Sequence, residues 1–288
     1  MKLFRRLAKA QSFDVHDEQI RKIIFDEVSS LNVRIVWDNA GNIIVEKGDG
    51  PYPCFACHMD TVHKYSKKHK IREQNIGSDT FWSSPAGIGG DDKCGIWACI
   101  RLLQELENVK VVFFAQEEHG QIGAHNIDLK RFEDCCFICE LDRLGNSDLI
   151  VDYIGMPTVS VEFEEDLCQV IPQGDTWELA EGFITDVMVL FERGIDISVM
   201  NLSCGYYNPH TKKEFVSWND MNKMFRMAWN ISTLTGMFYA VENTSIYVED
   251  NYGFQDLYSQ IEEEEGCNQF LFREDGTYIG SEFPDEIE

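Results

Sequence analysis

Apolar positions change period along the chain, and each change marks an element. Ile20, Ile23, Ile24, Val28 and Leu31 recur at helical spacing, which predicts an amphipathic helix over roughly 16–31. Residues 33–37 and 42–46 are predicted strands, and Asp38-Asn39-Ala40-Gly41 between them supplies turn residues, so the pair is a hairpin. Residues 53–57 form a short buried strand and 94–106 a helix. Residues 109–114 are nearly all apolar, the pattern of a central strand covered on both faces, and 136–141 has the same character. Residues 158–163 alternate and predict a strand. Residues 186–193 predict a short helix closed by Gly194, and 197–202 another strand. Ser217 opens a long helix as N-cap, with Asp220 three positions on and Trp218, Met221, Phe225 and Trp229 along one face. Strands separated by helical stretches predict an α/β fold, with a mainly parallel mixed sheet and helices on both faces. In such sheets the chemistry lies beyond the carboxyl ends of the strands.

Composition narrows the function. The chain has 288 residues, 44% apolar and 12% aromatic, enough to bury one large core or two small ones. Its formal net charge of -25 repels nucleic acids and anionic membranes, so neither is an expected partner. No apolar run approaches the roughly 20 residues a membrane span needs. Residues 1–10 are basic, but no apolar segment follows in the manner of a signal peptide, so the expected location is cytoplasmic. The ten cysteines are then expected as reduced, buried thiols. The acidity is uneven. Residues 241–288 hold 14 Asp and Glu against the single Arg273, a net of -13, while the first 240 carry 24 basic and 36 acidic residues, a net of -12. The expected division is therefore a body, 1–240, and an acidic C-terminal extension, 241–288, which is read as a solvated appendage although it includes Phe254, Leu257, Tyr258, Phe270, Leu271 and Phe272.

Five segments deliver a His or a carboxylate to one rim. His58-Met59-Asp60-Thr61-Val62 follows the strand 53–57. Asp91-Asp92-Lys93 follows the loop Gly87-Ile88-Gly89-Gly90. Gln116-Glu117-Glu118-His119-Gly120 follows the strand 109–114, and Asp142 follows 136–141. Gly205-Tyr206-Tyr207-Asn208-Pro209-His210-Thr211 follows 197–202. Two histidines and several carboxylates suit a divalent ion such as zinc. A pair of ions roughly 3.5–4 Å apart needs a shared ligand, which a two-oxygen carboxylate can be. A further carboxylate must stay off the metal to handle protons.

In their order these segments resemble the co-catalytic zinc exopeptidases: peptidase T with its carboxypeptidase and aminoacylase relatives, and the lidless leucine aminopeptidases. The resemblance covers roughly 16–236. His58-Met59-Asp60-Thr61-Val62 is similar to peptidase T, and Ser203-Cys204-Gly205-Tyr206 leading to His210-Thr211 is more like the lidless enzymes. The resemblance implies a zinc-exopeptidase-like catalytic domain holding two Zn2+ ions per chain, with Mn2+ or Co2+ as alternatives. It implies that Asp91 bridges both ions, that His58 and Asp142 complete one site, and that Glu118 and His210 complete the other. Glu117 would be the general base, Asp60 would fix the ring of His58, and the Asp91-Asp92 peptide would be cis.

Each residue also has a plainer reading. His16, His63, His69, His119 and His125 are taken as structural or exposed. No Gly-Lys-Ser/Thr follows the Gly-rich loop, so it is no phosphate cradle. Cys54-x-x-Cys57 and Cys136-x-x-Cys139 lie within predicted strands, where positions three apart face opposite ways, which argues against a four-thiolate zinc site. Thr185-Asp186 resembles a Thr-Asp step in lidded relatives, but an N-cap explains it equally well. Lidded relatives insert about a hundred residues between the ligands that match Asp142 and His210; only 67 lie between them here. No lid domain is therefore expected, and with it goes the expected dimerisation surface, leaving a monomer or weak oligomer. Recognition would fall on the amine end of a short peptide, favouring an aminopeptidase. The alternatives are a metal-dependent amidohydrolase or deacylase of N-acyl amino acids, and a non-catalytic binding descendant. Glu117 argues against the last, which has no need of a general base.

Overall fold

Asp38 closes the first hairpin by accepting hydrogen bonds from both nitrogens of Asn42, so β1 (Arg34–Trp37) pairs antiparallel with β2 (Ile43–Lys47). In this computed structural model the described residues are 1–241, 270–272 and 278–281. The remaining strands of the body are β3 (Tyr52–His58), β4 (Arg72–Ile76), β5 (Asp79–Ser83), β6 (Val109–Phe114), β7 (Cys135–Arg143), β8 (Asp148–Tyr153), β9 (Met156–Pro157), β10 (Glu178–Gly182), β11 (Val199–Ser203), β12 (Tyr206–Tyr207) and β13 (Phe215–Ser217). The helices are α1 (Lys2–Lys9), α2 (Glu18–Val28), α3 (Gly90–Glu105), α4 (Ile122–Asn126), α5 (Val161–Gln169), α6 (Asp186–Glu192) and α7 (Trp218–Ile231).

The main sheet has nine strands in the order β1-β2-β6-β3-β7-β11-β8-β10, with β9 beside β8. Its centre, β6-β3-β7-β11, is parallel throughout, and the antiparallel pairs flank it. A second, antiparallel sheet runs β12-β13-β5-β4. Period-2 alternation divides the core between the faces of the main sheet. In β3, Phe55 and Cys57 join one apolar cluster while Cys54 and Ala56 join the other. The first cluster draws on α1, α2, α3, α5 and α7, the second on α4 and α6, so helices cover both faces. Full burial of a side chain such as Phe55 or Leu103 contributes roughly 1.5–3 kcal/mol.

Several expectations change in detail. Residues 158–163 are not a strand. Ser160 Oγ accepts from the Phe163 N–H at 3.1 Å and starts α5, so an N-cap outweighs the short alternation. Residues 2–9 form a helix that buries Phe4, Leu7 and Ala8, a helical spacing hidden among basic residues. Strand alternation sends Cys54 and Cys57 to opposite faces as expected, but not Cys136 and Cys139. The β3–β7 register shifts at Tyr52/Pro53, which takes Cys136 out of alternation, and both thiols pack in the same cluster. All described cysteines are free.

By its contacts the chain divides into Met1–Asn243 and Thr244–Glu288. Within the second unit, β14 (Phe270–Phe272) and β15 (Tyr278–Ser281) pair antiparallel. The rest of the acidic extension, and the solvated-appendage expectation with it, lies outside the described residues. Among those residues no helix is long and apolar enough to cross a membrane.

Candidate metal centre

Parallel strands end on the same side, and that brings the rim together. β3 finishes at His58, with Asp60 two residues on. β6 leads into the single turn 117–119 that carries Glu117 and Glu118, and β7 carries Asp142. Asp91 opens α3, where the Asp91-Asp92 peptide is cis, and Asp92 caps the regular helix by accepting from the Gly95 N–H at 2.8 Å. His210 stands in the loop between β12 and β13. Gln116, Gln121, Asn208 and His210 all have positive φ although none is glycine. Such residues cost on the order of 1–3 kcal/mol each and persist where the surroundings fix them. Here they flank or form the segments that present Glu117, Glu118 and His210.

All five expected ligands converge. Asp91 Oδ1 lies 2.9 Å from His58 Nε2, and Asp91 Oδ2 lies 3.2 Å from His210 Nε2. The two oxygens of this carboxylate therefore face opposite halves of the cluster. On the first half, Asp142 Oδ2 is 3.6 Å from His58 Nε2. On the second, Glu118 Oε2 is 3.1 Å from His210 Nε2. Asp60 is buried behind them. Its Oδ1 lies 3.5 Å from His58 Nδ1 and accepts from the Glu117 N–H at 2.9 Å, while Oδ2 accepts from the Glu118 N–H at 3.2 Å. Among the described hydrogen bonds and ion pairs Glu117 is joined to neither histidine; its Oε1 accepts from Gln121 Nε2 at 2.8 Å.

The electrostatics describe a site crowded with buried carboxyl groups. Burial, then the neighbouring Asp91 carboxylate, push Asp142 up to about 8. Burial and Asp91 likewise raise Glu118, and burial raises Glu117 well above the usual carboxylate range, with Glu118 and Asp142 adding to it. Burial would raise Asp91 too, but bonds from His210 and His58 outweigh it and hold the carboxyl far below its usual range. Burial opposes charge on His210, yet Asp91 and Glu118 lift it to about 12. Buried carboxylates crowded this closely repel one another unless a cation or protons sit among them. Glu118 Oε1 is buried without any hydrogen-bond partner. Ligand atoms of His58, Asp91 and Glu118 lie within 4.8 Å of one another, as do those of His58, Asp92 and Asp142. The donor set fits a divalent cation. Asp92 is the poorer ligand of the two aspartates, because its oxygens already accept from the His58 and Gly95 backbone N–H groups.

Other residues of the site escaped the sequence reading. Tyr206 donates its hydroxyl to Asp142 Oδ1 at 3.0 Å, and Asn201 clamps the Asp142 backbone from both sides. His119, expected to be merely structural or exposed, places Nδ1 3.5 Å from Asp60 Oδ2. Glu140 and Asp186 are wholly buried, and burial raises the pKa of both. Thr185 occupies the N-cap position of α6, but its hydroxyl makes no cap bond. Tyr206 and Asn201 had a signal, since both lie in segments that end at a ligand. Glu140 looks like an ordinary polar residue until the sheet is assembled, whereas Asp186 belongs to the Thr185-Asp186 step that already resembles lidded relatives.

Comparison with known proteins adds the fold. No family model and no curated protein matches the sequence. Solved structures do. Aminopeptidase PepT from Bacillus cereus ATCC 10987 is similar at a TM-score of 0.63 and 17% identity, over 80% of this chain and 96% of that one. The TET aminopeptidase from the marine sediment archaeon Thaumarchaeota archaeon SCGC AB-539-E09 is similar at 0.65 and 14% identity, over 81% and 97%. The Pyrococcus horikoshii TET1 peptidase is similar at 0.62 and 15% identity, over 80% and 98%. The chain has the fold of these peptidases. The Pyrococcus protein can assemble into a tetrahedron or a large octahedral shell. A fold of this kind therefore does not in itself imply a monomer.

Proposed function

We propose that the chain is a two-zinc aminopeptidase that removes N-terminal residues from short peptides. One observation carries the reading: the two oxygens of Asp91 point to His58 and to His210, as a carboxylate shared between two ions would. In this reading His58, Asp91 and Asp142 hold one ion, and Asp91, Glu118 and His210 the other. When bound, a metal pair would polarise the scissile carbonyl and acidify a water. Glu117 serves as the general base. Gln121 anchors its Oε1, leaving Oε2 to take the proton from water. Burial raises the affinity of Glu117 for that proton, which suits a group that must accept it and then release it. The water oxygen bonds to the carbonyl carbon, the C–N bond breaks, and the proton passes from Glu117 to the leaving amine. Asp60 positions His58 from one side and the Glu117–Glu118 backbone from the other.

The fold shared with aminopeptidases supports this choice of reaction. So does the course of residues 143–209, whose strands β8 to β11 all belong to the main sheet, in keeping with a lidless enzyme that reads the amine end of its substrate. The test is a panel of amino-acid p-nitroanilides and short peptides, with free or acetylated N-termini, assayed with added zinc, manganese or cobalt. Free peptides should be cut and acetylated ones spared. Equal cleavage of acetylated peptides would replace the aminopeptidase with an amidohydrolase.

A further inference from the structure

Three of the ligand-bearing segments meet at a residue outside the ligand set. Glu214 is wholly buried, four residues beyond His210. Its Oε1 accepts from the Asp91 N–H at 3.0 Å, and its Oε2 accepts from the Gly89 N–H at 2.8 Å. His63, five residues beyond His58, places Nε2 2.7 Å from the same Oε2. Packing leaves these groups little freedom. A Cβ on Gly87 would meet the His63 ring at 2.1 Å, and one on Gly89, where φ is +64°, would meet Thr61 at 2.8 Å. Lys93 is buried nearby, and its ammonium donates to the Ile88 carbonyl at 2.7 Å. The second sheet ties the same parts from outside, since β13 leaves the Glu214 loop and pairs with β5, which leads into the loop 84–90.

We infer that Glu214 is a positioning residue: through the Asp91 and Gly89 N–H groups and His63 it sets Asp91 between His58 and His210. A carboxylate is suited to the task. It offers lone pairs to three donors at once, which an amide oxygen and its NH2 group cannot do. Both of its oxygens have hydrogen-bonding partners, so burial does not leave it bare. Because Asp91 faces both histidines, displacing its backbone disturbs both halves of the site. A residue that tied down only one loop would disturb one half.

The inference rests on the metal-centre reading, so its test reads metal binding and not peptide cleavage. Zinc affinity of the full chain would be measured by chelator competition for wild type, Glu214→Gln and His63→Ala, with melting of each metal-free protein alongside. Glu214→Gln places an NH2 group against a backbone donor. It should weaken zinc binding about 10–100-fold, the usual cost of losing an outer-shell partner, and weaken both ions together. His63→Ala leaves the two backbone bonds in place and should weaken both ions by less. If Glu214→Gln does not fold, His63→Ala decides alone, and an affinity equal to wild type overturns the inference. It is also overturned if Glu214→Gln lowers only the melting temperature while zinc affinity is unchanged, or if one ion is affected and the other is not. A wild type that binds zinc but cuts no peptide removes the peptidase reading and leaves this one standing.

Discussion

The His58–Asp142 half of the site and the Glu118–His210 half differ in what holds them. His58 ends a central strand, is wholly buried, and has Asp60 behind its ring. Asp142 belongs to β7, with Asn201 gripping its backbone and Tyr206 its carboxylate. His210 stands on a loop, at φ +62°, with 53% of its side chain exposed. A ligand borne on a strand is placed by the sheet, whereas a ligand borne on a loop depends on its neighbours. Asp91 and Glu118 are those neighbours for His210, and Glu214 holds the loop beneath them.

The largest effect should come from removing what the halves share. Asp91→Ala should lose both ions and bring activity to background, with metal content measured on protein reconstituted with zinc. Undiminished stoichiometry in that variant would end the shared-ligand assignment. Glu117→Gln should act on neither half. It keeps the shape and cannot accept a proton, so zinc content should hold while turnover on the best substrate falls by about 10²–10⁴. Near wild-type turnover would remove Glu117 as the base.

A third variant separates the halves. His210→Ala should lose one equivalent of zinc and keep the other, because His58 and Asp142 are placed without it. If both equivalents go, the halves are coupled through more than Asp91 and the contrast drawn between them is too sharp.

This contrast also explains how much could be read from the sequence. The central strands were legible because β3, β6 and β7 are apolar on both faces, a pattern that survives in any context. Three of the candidate ligands, His58, Glu118 and Asp142, were legible because they stand at or just beyond the end of such a strand, and all five because their order resembles a known family. What failed was local competition. Residues 158–163 alternate like a strand, yet one serine hydroxyl redirects them into a helix. Cys136 and Cys139 obey strand periodicity until a register shift breaks it. The supporting shell was least legible. Glu214 and Glu140 take their roles from burial beside residues far away in sequence, and no local pattern announces that.

Proton uptake gives a smaller but directional effect. Asp142 in the metal-free site is held near 8, above its unfolded value. The folded state then keeps a proton that the unfolded chain has released. This group should therefore make the metal-free fold less stable as pH rises from the ordinary carboxylate range toward about 8. Zinc must displace that proton, so its affinity should rise over the same interval and its binding should release protons at neutral pH. Titration calorimetry in buffers of different ionisation enthalpy reads the total release, to which His210 adds the proton it holds in the metal-free site. A heat that is independent of buffer would show that Asp142 is already ionised.

The smallest expected effect isolates a single hydrogen bond in the better-held half. Tyr206 is buried and donates to Asp142 Oδ1 at 3.0 Å. Tyr206→Phe removes the hydroxyl and leaves the ring. A donor to a carboxylate favours its charged form, so without it Asp142 should hold its proton to still higher pH. Zinc at the His58–Asp142 half should weaken by about tenfold, the low end for an outer-shell partner. The rise of its affinity with pH should also move upward. The Glu118–His210 half should keep its affinity, since Tyr206 makes no contact there among the described hydrogen bonds. An equal loss at both ions would mean that Tyr206 acts by supporting the loop that follows it toward His210. In that case the strand-borne half would depend on the loop as much as its partner does.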